Sequence, residues 1–358
     1  MSDEELKQYL GTEEITVVEA MQRIDANSAG ILFITDAKGR LAGSLTDGDI
    51  RRWIIKTGKL DGRITQVMFR RPRYLLKEES GNAASFMEEQ QITSVPVLDT
   101  KGKIVNIIFA VKKENDKAEF RKTLRGTPVI IMAGGKGTRL YPYTKILPKP
   151  LIPIGGIPIL ERIFHRFYRY GVGDFYLTVN YKKEMIKSYF SELDIPYRIH
   201  YVEEDRPLGT AGSIKLIEES FDAPVIIANC DTLIEADYGE VLRFHKESGN
   251  DLTIVSSLKN ITIPYGVLYS KEQGIVSSME EKPMLSYFIN TGMYIVNPEH
   301  ILRIPDGTIY HMTDLADQLM SDGLKVGMYP ISENSFLDMG EFEEMKKMEE
   351  RINSGSVQ

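Results

Sequence analysis

The residues best suited to chemistry in this 358-residue chain lie in a glycine-rich loop and at two widely separated aspartates. The loop reads Ala133-Gly134-Gly135-Lys136-Gly137-Thr138-Arg139-Leu-Tyr-Pro142, and Lys149-Pro150 follows. Three glycines let backbone approach a ligand closely and turn N–H groups toward phosphate oxygens, while Arg139 and Lys149 add charge for a polyphosphate. A plain glycine turn is the alternative. A Walker A loop is excluded because Gly137, not Ser or Thr, follows Lys136. A dinucleotide fingerprint is excluded because Leu140 stands at the third glycine position and prolines occupy the expected helix start. Asp231 closes one apolar run and Asp338 follows another. Two such carboxylates can hold Mg²⁺ in one crevice, or each can cap a turn.

These residues need a scaffold that brings distant loops together. From Thr127 onward, apolar runs at Val129 to Met132, Phe175 to Val179, Val225 to Ala228 and Leu252 to Ser256 alternate with helical stretches. The helices are expected near Pro158 to Tyr170, Lys182 to Phe190 and Tyr238 to Glu247. Strands that are apolar throughout, separated by helices, predict an α/β domain with a mostly parallel sheet covered on both faces. Ligands of such sheets bind at the carboxyl ends of strands, which points to the loops after Ala133, Tyr201 and Asn229.

The first part of the chain is built differently. Asp36-Ala-Lys-Gly-Arg40 and the apolar run after it repeat as Asp99-Thr-Lys-Gly-Lys103 at a constant offset of 63 residues. Each copy reads as a helix (Val18, Met21, Ile24; Ala83, Phe86, Met87) followed by a hairpin whose first strand is Ile31 to Ile34 or Val95 to Leu98. One copy is too small to close a core, so the two are expected to pair. Nine charged residues crowd the stretch from Lys112 to Gly126, which is read as a solvated linker or helix. The expected organisation is an N-terminal pair at 1–111, a charged linker at 112–126 and a catalytic domain at 127–358. Net charge divides as −1, +3 and −9 over these segments.

Composition sets the outer bounds. Hydrophobic residues at 42% and charged residues at 27% supply packed cores and exclude a wholly disordered or fibrous chain. A net charge of −7 argues against nucleic-acid binding. The single cysteine, Cys230, excludes an internal disulfide or a cysteine-rich zinc site and fits a reducing compartment. No basic leader and no apolar run near the ~20 residues of a membrane span are visible, so a cytoplasmic location away from membranes is expected.

Gly134-Gly-Lys-Gly-Thr-Arg139 with Lys149-Pro150 resembles the signature of the sugar-1-phosphate nucleotidyltransferases. The resemblance continues through Leu208-Gly-Thr-Ala-Gly212, Asn229-Cys230-Asp231, Tyr265-Gly266-Val267, Glu281-Lys282-Pro283, Asn290-Thr291-Gly292 and Phe336-Leu-Asp338-Met-Gly340. It implies a Rossmann-like domain with a mostly parallel mixed sheet. The implied reaction is attack of a sugar-1-phosphate oxygen on the α-phosphorus of a nucleoside triphosphate, with pyrophosphate leaving. Asp231 and Asp338 would hold Mg²⁺; Arg139 and Lys149 would hold the triphosphate; Lys282 would meet the sugar phosphate. Glu281, with Asn290 and backbone around Gly266 and Thr291, would meet the sugar. Gly134, Gly135, Gly137 and Thr138 of the loop, together with Gly209 and Gly212, would form the nucleotide pocket. Cys230 departs from the family, which usually has glycine there. Leu208-Gly-Thr-Ala-Gly212 is similar to the guanylyltransferase branch, and the thymidylyltransferases' glutamine before the glycine is missing from the Glu203-Glu-Asp-Arg-Pro segment.

The N-terminal repeat resembles an α+β pair of CBS modules. Gly43-Ser-Leu-Thr46-Asp-Gly-Asp49 matches their nucleotide pattern, which implies one regulatory nucleotide at Thr46 and Asp49. The second copy has Phe109 and Lys112 instead. A pair that only packs and dimerises is the alternative, and a homo-oligomer, foremost a dimer, is expected. The architecture as a whole is similar to bacterial glucosamine-1-phosphate guanylyltransferases that supply GDP-amino sugars for legionaminic acid. This implies GTP and glucosamine-1-phosphate as substrates, with mannose-1-phosphate or a heptose phosphate as other acceptors. A catalytically silent sugar-nucleotide-binding regulator is the reading of a different class.

Overall fold

The structure, a computed structural model, describes residues 1–27, 29–110 and 122–354. These divide into two compact units, Met1–Lys117 with Leu258–Phe288, and Ala118–Ser257 with Ile289–Gln358.

In the first unit the sequence repeat becomes a structural one. Strands Leu10–Thr12, Ile31–Thr35 and Leu41–Thr46 form one three-stranded sheet, and Leu75–Leu76, Ser94–Leu98 and Ile104–Phe109 form another in the same order. Each sheet has one parallel and one antiparallel pairing, and the register shifts between Ile34 and Thr35 in one copy and Val97 and Leu98 in the other, again 63 apart. The turns are also copies. Asp36 Oδ1 accepts from the Lys38 and Arg40 amides, and Asp99 Oδ1 from those of Lys101 and Lys103. Helix Val17–Asn27 buries Val17, Ala20, Met21 and Ile24, one face at helical spacing. Phe33 of one copy and Leu98, Ile104 and Ile107 of the other share a core, as expected of halves too small to fold alone. The unit also holds the antiparallel hairpin of Gly266–Ser270 and Val276–Glu281.

The second unit is built on a seven-stranded sheet. Its strand order is Arg198–Glu203, Asp174–Val179, Val129–Ala133, Val225–Asn229, residues 289–296 of strand Met284–Val296, residues 252–257 of strand Leu252–Thr262, and Val326–Ile331. The first four run parallel and Met284–Val296 is antiparallel to Val225–Asn229, giving the mostly parallel mixed sheet the sequence implies. Side chains alternate across it. Val129, Ile131 and Ala133 enter one core with Phe164 and Phe175, while Ile130 and Met132 enter the other with Leu315 and Leu319. Helix Ile159–Arg169 buries Ile159, Leu160, Ile163, Phe164 and Phe167. Phe164 meets Phe175 with ring centroids 4.6 Å apart, and each fully buried side chain of this size contributes about 1.5–3 kcal/mol.

Of the charged stretch expected to link the domains, residues 112–121 lie outside the described residues. Its end, Lys122–Gly126, folds with the second unit, because Leu124 is fully buried there and its amide donates to the Tyr170 carbonyl at 3.0 Å. One apolar residue inside a charged run anchors the chain. The strand expected at Leu252 to Ser256 continues to Thr262. No described helix is long and apolar enough to cross a membrane.

Candidate functional site

Strands Val129–Ala133 and Val225–Asn229 lie side by side with Met132 opposite Asn229, so the loops after both begin at the same sheet edge. Between them opens a cleft of about 380 Å³ lined by Gly134, Gly135, Gly137, Thr138, Arg139, Lys149, Gly209 and Asp231. The sequence reading thus converges on one site for all eight. Gly137 has φ of 64°, and a Cβ there would lie 3.0 Å from Lys149 Cβ and 2.9 Å from Thr144 Cγ2. Glycine is what allows the buried Lys149 to pass behind the loop.

Lys149 Nζ donates to Asp231 Oδ2 in an ion pair that is largely buried. Asp338 stands opposite Thr232 in the short sheet that follows, and the Met339 amide donates to the Asp231 carbonyl at 2.9 Å. Burial raises the Asp338 pKa and the Asp231 charge raises it further, while Lys149, the Gly340 amide and Arg139 oppose the shift. The two carboxylates and two cations therefore form one electrostatic cluster. Among the described residues no third His, Cys, Asp or Glu joins them as a metal-binding group. Two carboxylates suit Mg²⁺, which keeps waters and takes substrate phosphates as its remaining ligands. Cys230, the departure from the family, is buried in the cleft wall and burial pushes its thiol pKa up, so it fills space as a neutral group.

Among the lining residues that the sequence reading did not single out are Glu204 and Thr178. Glu204 is buried, and burial raises its pKa, opposed by the Leu208 amide that donates to Oε2 at 3.1 Å. The carboxylate lies where a side chain on Gly134 would be, since a Cβ there would fall 2.3 Å from Glu204 Oε1. Thr178, opposite Met132 in register, is buried and its hydroxyl has no hydrogen-bond partner among the described residues. The signal for Glu204 was its position, five residues before Gly209 in the loop thought to meet the base.

Other expected site residues fall elsewhere. Gly212 does not line the cleft; its amide donates to the Tyr310 carbonyl at 3.0 Å, and a Cβ would lie 2.6 Å from the Thr308 carbonyl, so its role is close backbone packing. Gly266 and Glu281 are cross-strand partners in the hairpin of the first unit, and Lys282 follows with φ of 49°, a left-handed backbone uncommon for lysine. In the second unit, Asn290 bonds the Gly292 amide and Tyr294, and the buried Thr291 donates its hydroxyl to the Val255 carbonyl at 2.7 Å. Thr46 caps helix Asp47–Thr57. Its hydroxyl accepts from the Asp49 amide while Asp49 Oδ2 accepts from the Thr46 amide, a capping box, and Asp49 Oδ1 pairs with Arg52. Phe109 ends its strand in the second copy, and Lys112 lies outside the described residues.

The parallel core and the glycine loop at its carboxyl edge define a Rossmann-like domain. The chain belongs to the nucleotidyl transferase family, whose family model matches residues 128–355, and a CBS domain model matches residues 12–56. It is 35% identical over 181 residues to a mannose-1-phosphate guanyltransferase of Debaryomyces hansenii, covering 48% of this chain and 50% of that protein. It is 34% identical over 215 residues to a UTP–glucose-1-phosphate uridylyltransferase of Synechocystis, covering 54% and 55%. The chain thus spans about half the length of these curated relatives. Among solved structures it is similar to HddC from Yersinia pseudotuberculosis, with a TM-score of 0.50 and 29% identity over 63% of this chain and 99% of that one.

Proposed function

We propose that the chain transfers a guanylyl group from GTP to a hexose-1-phosphate, with glucosamine-1-phosphate the first acceptor and mannose-1-phosphate the second. The observation that carries guanine is the Glu204 carboxylate in the cleft wall. Guanine offers two adjacent donors, N1–H and the 2-amino group, which a carboxylate can accept together. Uracil and thymine offer one donor between two acceptors, which a carboxylate repels. The guanyltransferase relative agrees with this choice, while the uridylyltransferase relative supports UTP as the second reading.

In the proposed reaction a sugar-phosphate oxygen bonds to the α-phosphorus as the bond to the β-phosphate oxygen breaks, and pyrophosphate leaves with its electron pair. Arg139 and Lys149 hold the triphosphate against the loop amides and stabilise charge on the transferring phosphorus. Mg²⁺ held by Asp231 and Asp338 would neutralise phosphate charge. Glu281, Lys282 and the Gly266 backbone are assigned to the sugar and its phosphate from their motifs, and so, from their own motif, are Asn290 and the Thr291 backbone. The N-terminal pair is assigned to regulation, with a purine nucleotide near Thr46 and Asp49, and to dimer formation.

A pyrophosphate-release assay with five nucleoside triphosphates and a panel of sugar-1-phosphates, with and without Mg²⁺, tests this reading. GTP should give the highest kcat/KM. Preference for UTP would move the chain to the uridylyl branch, and no release with any pair would leave a silent sugar-nucleotide-binding homologue.

A further inference from the structure

The glycine loop rests on a stretch of chain that is too short to hold its own shape. Gly137 packs against Thr144 and Lys149. Thr144 is buried in the four-residue helix Tyr143–Ile146, and Leu147-Pro148 joins that helix to Lys149. A helix of this length is barely nucleated. The Leu147 amide closes on the Tyr143 carbonyl at 3.0 Å, and the carbonyls that follow must be met from elsewhere.

The neighbouring strand supplies the partners. Asp174–Val179 pairs with the strand that feeds the glycine loop, Val129–Ala133, and Tyr181 and Lys182 stand just past its end. The Tyr181 hydroxyl donates to the Thr144 carbonyl at 3.1 Å, while Lys182 Nζ donates to the Lys145 carbonyl at 2.6 Å and to the Ile146 carbonyl at 2.7 Å. Three successive carbonyls are thus satisfied, two of them by a cation at the negative end of the helix. The same Nζ lies 5.4 Å from the centroid of the Tyr181 ring. Lys182 makes this reach from a left-handed backbone, with φ of 53° and ψ of 35°, at the start of helix Lys183–Ser191. Glycine or asparagine adopts that conformation with less strain, so the contacts of the lysine are what hold it there.

We propose that Lys182 is a positioning residue for the triphosphate. It does not line the cleft itself. By fixing Tyr143–Ile146 it fixes Thr144 behind Gly137 and, through Leu147-Pro148, the backbone from which Lys149 reaches Asp231. Misplacing such groups by about 1 Å can cost about 10²-fold in rate. The proposal rests on the reading of the cleft as a nucleotide site but not on which base it takes, because the phosphates meet the loop and Lys149 whatever base they carry.

Calorimetric titration of the full-length protein with a nucleoside triphosphate and with its parent nucleoside tests this, GTP and guanosine first. In Lys182→Gly the triphosphate should bind about tenfold more weakly, while the nucleoside keeps its affinity to within about twofold. Glycine suits the left-handed backbone, so this variant removes the side-chain contacts and relieves strain in one step, which guards against misfolding. Lys182→Arg, whose guanidinium can donate to both carbonyls, should recover most of the triphosphate affinity. Tyr181→Phe, which removes one of the three bonds, should weaken it by a smaller factor. Triphosphate affinity unchanged in Lys182→Gly, weakened equally with that of the nucleoside, or not recovered in Lys182→Arg would overturn the proposal. A wild type that binds UTP in place of GTP would correct the base alone, and UTP with uridine then decides on Lys182. A wild type that binds no triphosphate would remove the nucleotide site and the positioning role together.

Discussion

Lys149 and Asp231, 82 residues apart in the chain, form a largely buried ion pair in the wall of the cleft beside the glycine loop. The pair sets a lysine against an aspartate at low exposure, and burying either is costly without the other. Asp231→Asn should lower turnover by at least about 10²-fold, as expected when a preorganised electrostatic group is lost. It should also reduce stability, because Lys149 loses a charged partner. Turnover together with a urea titration checks both, and wild-type activity in Asp231→Asn and Asp338→Asn would remove these residues from the chemistry.

Base choice can be tested at one atom. Glu204→Gln replaces an acceptor-only carboxylate by an amide that donates and accepts, so the site no longer matches two guanine donors. The kcat/KM for GTP should fall by about 10²-fold relative to UTP, in line with the penalty for leaving polar groups unpaired. An unchanged ratio would take base reading away from this residue.

Gly137→Ala should act on stability as well as activity. A left-handed backbone costs a non-glycine residue about 1–2 kcal/mol, and the new methyl would press on Lys149 and Thr144. A lowered melting temperature is expected, whereas an unchanged one would mean that the loop relaxes freely.

His245 gives a pH dependence. It is buried between Thr253 and Asn297, and burial lowers its pKa below the ordinary 6.5. The unfolded chain therefore takes up the proton first, so this contribution is present above about pH 6.5 and lost as pH falls below it. Urea midpoints from pH 8 to 5 should fall more steeply for the wild type than for His245→Gln. Parallel curves would contradict the assignment.

At Thr46 the capping role must be separated from nucleotide binding. Thr46→Ala should destabilise the protein by about 1 kcal/mol through the lost cap, while Thr46→Ser should retain stability. A nucleotide effect that follows Thr46→Ala but not its stability loss would mark direct contact.

Sequence periodicity revealed the scaffold because both copies of the repeat carry the same Asp-x-x-Gly turn, at Asp36 and Asp99, and because Val129–Ala133 is apolar on every side. Arg139, Lys149 and Asp231 were legible because motif and strand end coincide. Glu204 was not, since a carboxylate in Glu203-Glu-Asp-Arg reads as solvent-facing and is buried only through the space Gly134 leaves. Leu124 was hidden for the same reason, one apolar residue among charges. Gly212 shared a motif with Gly209, yet only the backbone near Thr308 shows that it packs.

The parallel pairing of Leu252–Ser257 with Val326–Ile331 has a consequence for biosynthesis. While the ribosome is still adding residues before Val326, the completed Leu252–Ser257 segment has one row of amides and carbonyls without its eventual neighbour. An apolar strand in that state is a template for pairing with another nascent chain. Translation that stalls or ends before Ile331 should therefore yield aggregates rather than a smaller soluble enzyme.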